Sequence, residues 1–225
     1  MKRSQINARI AEAIAFAESQ GFRLPPFAFW SPSEWRARGP EADEIRDCLL
    51  GWDLTDFGSG DFARIGLTLF TLRNGRHGDP RYPKPYCEKM MISEAGQVTP
   101  LHFHWSKTED IINRGGAEVV VQLYPSTPEE GLAESAASVA TDGVQRTVEA
   151  GGLVRLRPGE SICLPPRLYH QFWGEGGAVL LGEVSTVNDD AADNRFYQPV
   201  GRFPSIEEDE EPRYLLCTEY PPASS

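Results

Sequence analysis

Apolar residues recur at Ile6, Ile10, Ala13, Ile14 and Ala17. Steps of three and four line one face of a helix, so the pattern predicts a helix over 6–18 with Gly21 as its stop. The segment LPPFAFW that follows is aromatic and stiffened by proline, and it predicts an extended stretch. Ser31-Pro-Ser-Glu34 has the form of a helix start and leads into a short helix over 34–38; a second short helix is expected over 41–50. These elements read as packing over a sheet, or as a contact between two copies. From residue 66 the period changes. Short β-branched or alternating segments are separated by turn residues, predicting strands over 66–73, 86–93, 97–104, 109–113, 118–124, 147–150, 153–156, 160–164, 170–173 and 178–184. Residues 126–142 are small, acidic and polar and read as a loop, and the tail after Asn188 has little regular pattern. Many short strands with regular turns mean an all-β sandwich or barrel. The expected organisation is a helical and extended cover over 1–65, a barrel over 66–187 and a C-terminal extension over 188–225, all within a single compact domain.

Composition narrows the function classes. The chain has 225 residues, 40% of them apolar and 24% charged, which suits a globular protein with a sizeable core. Its net charge of -11 opposes nucleic acid and anionic membrane surfaces as partners. Its apolar runs are too short to span a bilayer, and the opening MKRSQINARIAEAIAFAESQ breaks every apolar stretch with polar residues, unlike a signal peptide. Four cysteines, Cys48, Cys87, Cys163 and Cys217, form no C-x-x-C pair; scattered thiols fit a reducing cytoplasm, although an even count also permits disulfides.

The chemistry concentrates around Gly96-Gln-Val-Thr-Pro-Leu-His102-Phe-His104-Trp-Ser-Lys-Thr-Glu109. Residues two apart on a strand share a face, so His102 and His104 can aim both rings into a barrel lumen. Glu109 opens the next predicted strand, where an antiparallel neighbour can bring its carboxylate beside them. His170 follows Pro158-Gly159 and Pro165-Pro166, turns that can return it to the same lumen. Imidazole and carboxylate together suit a divalent ion such as manganese, iron, cobalt, nickel or zinc. The remaining histidine, His77, lies in the turn-rich Asn-Gly-Arg-His-Gly-Asp and is read as non-ligating.

These residues resemble the cupin superfamily, whose motifs are G-x5-H-x-H-x3/4-E-x6-G and G-x5-P-x-G-x2-H. Gly96, His102, His104, Glu109 and Gly116 match the first, and Gly159, Pro165 and His170 match the second. Arg167 stands where the second motif has glycine. The resemblance implies a double-stranded β-helix, or jelly-roll barrel, with a metal held by His102, His104, Glu109 and His170. It does not imply a particular reaction.

A wider resemblance rests on LPPFAFWSP, Glu44-Ile-Arg-Asp, Gly51-Trp-Asp-Leu-Thr-Asp-Phe-Gly, Glu109-Asp-Ile-Ile-Asn-Arg-Gly-Gly, Gly182-Glu-Val-Ser, Asn188-Asp-Asp and Asn194-Arg-Phe-Tyr. These segments are similar to the bacterial D-lyxose isomerases. That likeness implies a homodimer, usually manganese-dependent, that interconverts D-lyxose and D-xylulose and also acts on D-mannose and D-fructose. Four ligands on a six-coordinate ion leave two positions for adjacent sugar oxygens, whereas a four-coordinate zinc would be closed. Proton transfer needs another group. Glu88 and Lys89 point to opposite faces of one strand, and Lys89 is the candidate to face the lumen, its pKa lowered by a nearby dication. Glu183 is the candidate general base, and Asp190 and Arg195 are candidates for binding sugar hydroxyls. Phe103, Trp105, Phe172 and Trp173 serve either as packing or as an apolar wall for the sugar. The same ligand set is open to an iron dioxygenase, a non-catalytic sugar-binding cupin, or a sugar-phosphate isomerase, although no glycine-rich anion nest is visible.

Overall fold

The computed structural model describes residues 1–201 and 205–222. Residues 202–204 and 223–225 of the expected C-terminal extension lie outside the described residues. Helix α1 (Arg3–Ser19) buries Ile6, Ile10, Ala13 and Ala17. That stripe meets Trp52, Leu54, Phe70, Met90 and Leu180 on the outer face of the sheet. Each of the two isoleucines contributes about 2 kcal/mol by leaving water. Helix α2 (Pro32–Arg36) starts at Ser31, whose hydroxyl accepts from Glu34 N–H at 3.3 Å while Glu34 Oε2 accepts from Ser31 N–H at 2.8 Å. This is the capping box that the sequence predicts. Helix α3 (Asp43–Asp47) is shorter than expected, and the proline segment forms one 3₁₀ turn (Pro26–Phe29) where an extended stretch was expected. Proline at the first position of that turn supplies the φ the turn needs.

Eleven strands follow: β1 (Gly51–Thr55), β2 (Leu67–Arg73), β3 (Tyr86–Ser93), β4 (His102–His104), β5 (Glu109–Pro125), β6 (Ala137–Thr141), β7 (Val144–Val148), β8 (Leu153–Leu156), β9 (Ser161–Leu164), β10 (Leu168–Thr186) and β11 (Asn194–Phe196). All named strand pairs are antiparallel, in the order β1-β2-β3-β10-β5-β9-β6-β7; β4 joins β10, β11 joins β4 and β8 joins β5. The all-β expectation is met. Three local expectations are corrected. β1 lies in the stretch expected to be cover, yet it pairs with β2 from Gly51↔Thr71 to Thr55↔Leu67. β6 lies in the expected loop, and its alanines and serines hid its alternation. The segment expected as a strand over 97–104 is a strand only at His102–His104, because Pro100 cannot donate to a ladder.

Two predicted pairs of strands are each one long strand. The sequence reads turns at Gly115-Gly116 and Gly176-Gly177, but the chain runs on through both with local register shifts. Gly116 has φ +87, and a side chain there would meet the Ala178 carbonyl oxygen at 2.4 Å. The irregularity in β10 also moves its alternation by one. Before it Phe172 lines the lumen and His170 Nε2 reaches the lumen residue Glu109 at 3.0 Å, and after it Glu183 lines the lumen. The inner core follows the same switch, with Phe172 before the irregularity and Val179 and Leu181 after it.

Candidate metal centre

β10 is the strand that assembles the centre. His170 is paired with His102 of β4, and further along the same strand Ser185 is paired with Glu109 of β5. The expected antiparallel pairing of the glutamate's strand with the histidine pair is corrected: β4 and β5 each pair with β10 instead. Ligand nitrogens of His102, His104 and His170 all lie within 4.8 Å of one another. Glu109 Oε1 lies 3.0 Å from His170 Nε2 and 3.4 Å from His104 Nε2. His77 is exposed in its turn, away from this group.

Each ring is aimed by its other nitrogen. His102 Nδ1 is 2.8 Å from the Pro100 carbonyl, His104 Nδ1 is 3.2 Å from the Asp193 carbonyl, and His170 Nδ1 is 2.9 Å from the Leu168 carbonyl. A carbonyl only accepts, so each Nδ1 carries the proton and each Nε2 is left as a bare lone pair. Burial holds His102 and His104 below the usual imidazole range, keeping them neutral. Burial alone would raise Glu109, but the Lys107 ammonium and then His104 outweigh it and hold it well below the usual carboxylate range. His170 Nε2 is buried with no hydrogen-bond partner, despite the nearby Glu109 oxygen. A bare imidazole nitrogen facing a carboxylate oxygen satisfies neither atom, whereas a divalent cation satisfies both. Three imidazoles, each with its Nε2 on the side of the cluster, and one carboxylate therefore fit such an ion.

Beside these residues is a buried ion network. Lys107 Nζ is 2.7 Å from Glu109 Oε2, donates to Glu183 Oε1 at 2.9 Å and reaches Asn188 Oδ1 at 3.2 Å. Lys89 Nζ lies 3.4 Å from Glu183 Oε1 and 3.6 Å from Asp190 Oδ1. Lys89 and Glu183 are cross-strand partners on β3 and β10, so both face the lumen. Glu88 points out to Arg73. Burial pulls the Lys89 ammonium down, but Asp190 and Glu183 raise it further, so the protein's own groups hold it charged. The expected lowering of its pKa does not come from them.

Arg195 lies outside the lumen lining. β11 pairs with β4, and its alternation sends Asn194 and Phe196 into the lumen and Arg195 to the other face. There Arg195 Nε donates to Glu130 Oε2 at 2.6 Å. Asp190 does line the lumen. Of the four aromatics, Phe172 lines the lumen, while Phe103 packs edge-on between Trp105 and Tyr169. Lys107 was missed: it stands in the turn before β5, and its ammonium reaches Glu109 at 2.7 Å. Asp193 was missed as well: its carboxylate accepts from Ser106 N–H and Lys107 N–H, both at 2.9 Å, and so fixes the turn between His104 and Glu109. Arg167 takes φ +62, the backbone conformation that explains the glycine in the cupin motif. Its N–H donates to the His104 carbonyl at 2.8 Å, and its guanidinium lies over Phe103 and Trp105.

The D-lyxose isomerase family model matches residues 1–220. A D-lyxose/D-mannose isomerase from Serratia proteamaculans is 53% identical over 223 residues, covering 98% of each chain. One of the same description from Escherichia coli O157:H7 is 50% identical, again covering 98% of each. Among solved structures, a mutant of the L-ribose isomerase of Acinetobacter sp. DL28 in complex with L-ribose aligns with a TM-score of 0.62 at 17% identity, covering 92% of this chain and 98% of that one. The L-ribose isomerase of Cellulomonas parahominis aligns with a TM-score of 0.60 at 16% identity, with the same coverage. At that identity the structural likeness shows the cupin fold and no more.

Proposed function

The chain belongs to the D-lyxose isomerase family, and on that premise we propose that it interconverts D-lyxose with D-xylulose, and D-mannose with D-fructose, at a divalent ion held by His102, His104, His170 and Glu109. The observation that carries this reading is the joint placement of three Nε2 lone pairs, the Glu109 carboxylate and the Lys89–Glu183–Lys107 network in one buried lumen.

Aldose–ketose isomerisation moves one hydrogen from C2 to C1 while a proton passes from O2 to O1. A bound ion would supply Lewis acidity to two adjacent sugar oxygens. Glu183 is placed to take the C2 proton and return it to C1. Its carboxylate accepts from Lys107 and from the Ser185 hydroxyl, at 2.9 and 3.2 Å, and these contacts hold the group in position. Lys89 donates toward the sugar oxygens and stabilises the charge that develops there. Asp190 accepts from a sugar hydroxyl. Both buried lysines already face carboxylates, which favours a neutral sugar over a phosphorylated one.

Manganese is the proposed ion, because a six-coordinate metal keeps two positions for substrate that tetrahedral zinc would lack. A homodimer is proposed from the family resemblance, with exposed Phe29, Trp105, Val144 and Leu153 as candidate contacts. Cytoplasmic location is proposed from the four cysteines, none of which is in a disulfide. Among the described residues no helix is long and apolar enough to cross a membrane. The test is an isomerase assay on stripped protein reloaded with manganese and offered D-lyxose, D-mannose and their phosphates. Ketose from the free sugars is expected. Product from the phosphates alone, or oxygen uptake in place of ketose, would contradict the reading.

A further inference from the structure

The lumen has an unlike lining: Lys89, Lys107, Glu183 and Asp190 supply polar groups, and Phe57 and Phe196 supply apolar ones. The Phe196 ring lies 5.5 Å from His102 and meets Phe57 edge-on at 5.8 Å. Phe57 is a backbone outlier with φ +51, a region that bulky residues avoid. The conformation is held from both sides. Phe57 N–H donates to the Thr55 hydroxyl at 2.9 Å, and Gly201 N–H donates to the Phe57 carbonyl at 3.0 Å. Phe57 also borders an open groove of about 990 Å³ that runs between Arg64, Gln171 and Tyr197. A strained aromatic, pinned between the small lumen and a wide groove, is a fixed wall whose position the fold maintains against its own backbone preference.

We propose that Phe57, backed by Phe196, is a specificity-determining wall that meets the far end of the sugar chain and so sets the preference between five- and six-carbon aldoses. The inference rests on the isomerase reading. With C1 and C2 at the metal and the polar groups, the distal carbons meet the apolar residues that complete the lining. A pentose and a hexose of matching configuration differ there by one CHOH unit, and a pocket contact that admits or excludes one carbon is worth about 10- to 200-fold in kcat/KM.

The test compares kcat and KM for D-lyxose and D-mannose in manganese-loaded wild type, Phe57→Ala and Phe57→Leu, with bound manganese measured in each. Phe57→Ala is expected to shift the mannose-to-lyxose ratio of kcat/KM upward by about 10-fold or more. The shift should come chiefly from KM, with metal content unchanged. Phe57→Leu, which keeps an apolar side chain in the inner core, should shift the ratio the same way by less. It stands in if the alanine variant fails to fold. A ratio within about twofold of wild type in the folded variants, even with both rates reduced, would show a purely structural residue and overturn the proposal. Wild type that converts neither sugar would instead overturn the isomerase reading, and this inference with it.

Discussion

Replacing His170 by Gln is expected to lower manganese affinity by at least about 100-fold and turnover at limiting metal by about 1,000-fold or more. His170 Nε2 is buried without a hydrogen-bond partner, and the Leu168 carbonyl fixes the tautomer that leaves it bare. A glutamine is shorter and offers a carbonyl oxygen without an imidazole's preference for a transition-metal ion. It also disturbs Glu109, whose oxygen lies 3.0 Å from the lost nitrogen. Elemental analysis of the dialysed protein and a ketose assay across manganese concentrations read the two effects separately. Wild-type metal content in the variant would remove His170 from the ligand set.

Glu183→Gln is expected to show the opposite split: full metal content with turnover reduced by about 100-fold. Glutamine keeps the shape and can still accept from Lys107, so the buried network loses one charge without losing its packing. It cannot take the C2 proton. Wild-type turnover in this variant would exclude Glu183 as the base. Loss of metal would show that it acts through Lys107 and Glu109 instead.

Much of the centre was legible because a strand has a period of two. That period placed His102 and His104 on one face and separated Lys89 from Glu88, and the structure shows both. It does not reach Lys107, which lies in the turn before β5, where a lysine looks like a solvated charge until the structure shows it among carboxylates. Arg195 shows the reverse case. Asn194–Phe196 carries no regular pattern in the sequence, and as a strand it sends Arg195 away from the lumen. The long strands β5 and β10 were each split because double glycines look like turns. Register decides between a turn and a bulge, and register depends on partners distant in sequence. Arg167 shows another limit: the motif asks for glycine there, but the stacking that accompanies an arginine at φ +62 is tertiary.

The most direct measurement is a manganese titration of the chelator-stripped protein, followed by the initial rate of D-xylulose formation from D-lyxose. The expected curve starts near zero, rises with added metal and breaks at one ion per chain. A stripped protein that already works at the full rate, or a loaded protein that forms no D-xylulose, would contradict a metal-templated isomerase built on these three histidines and one glutamate.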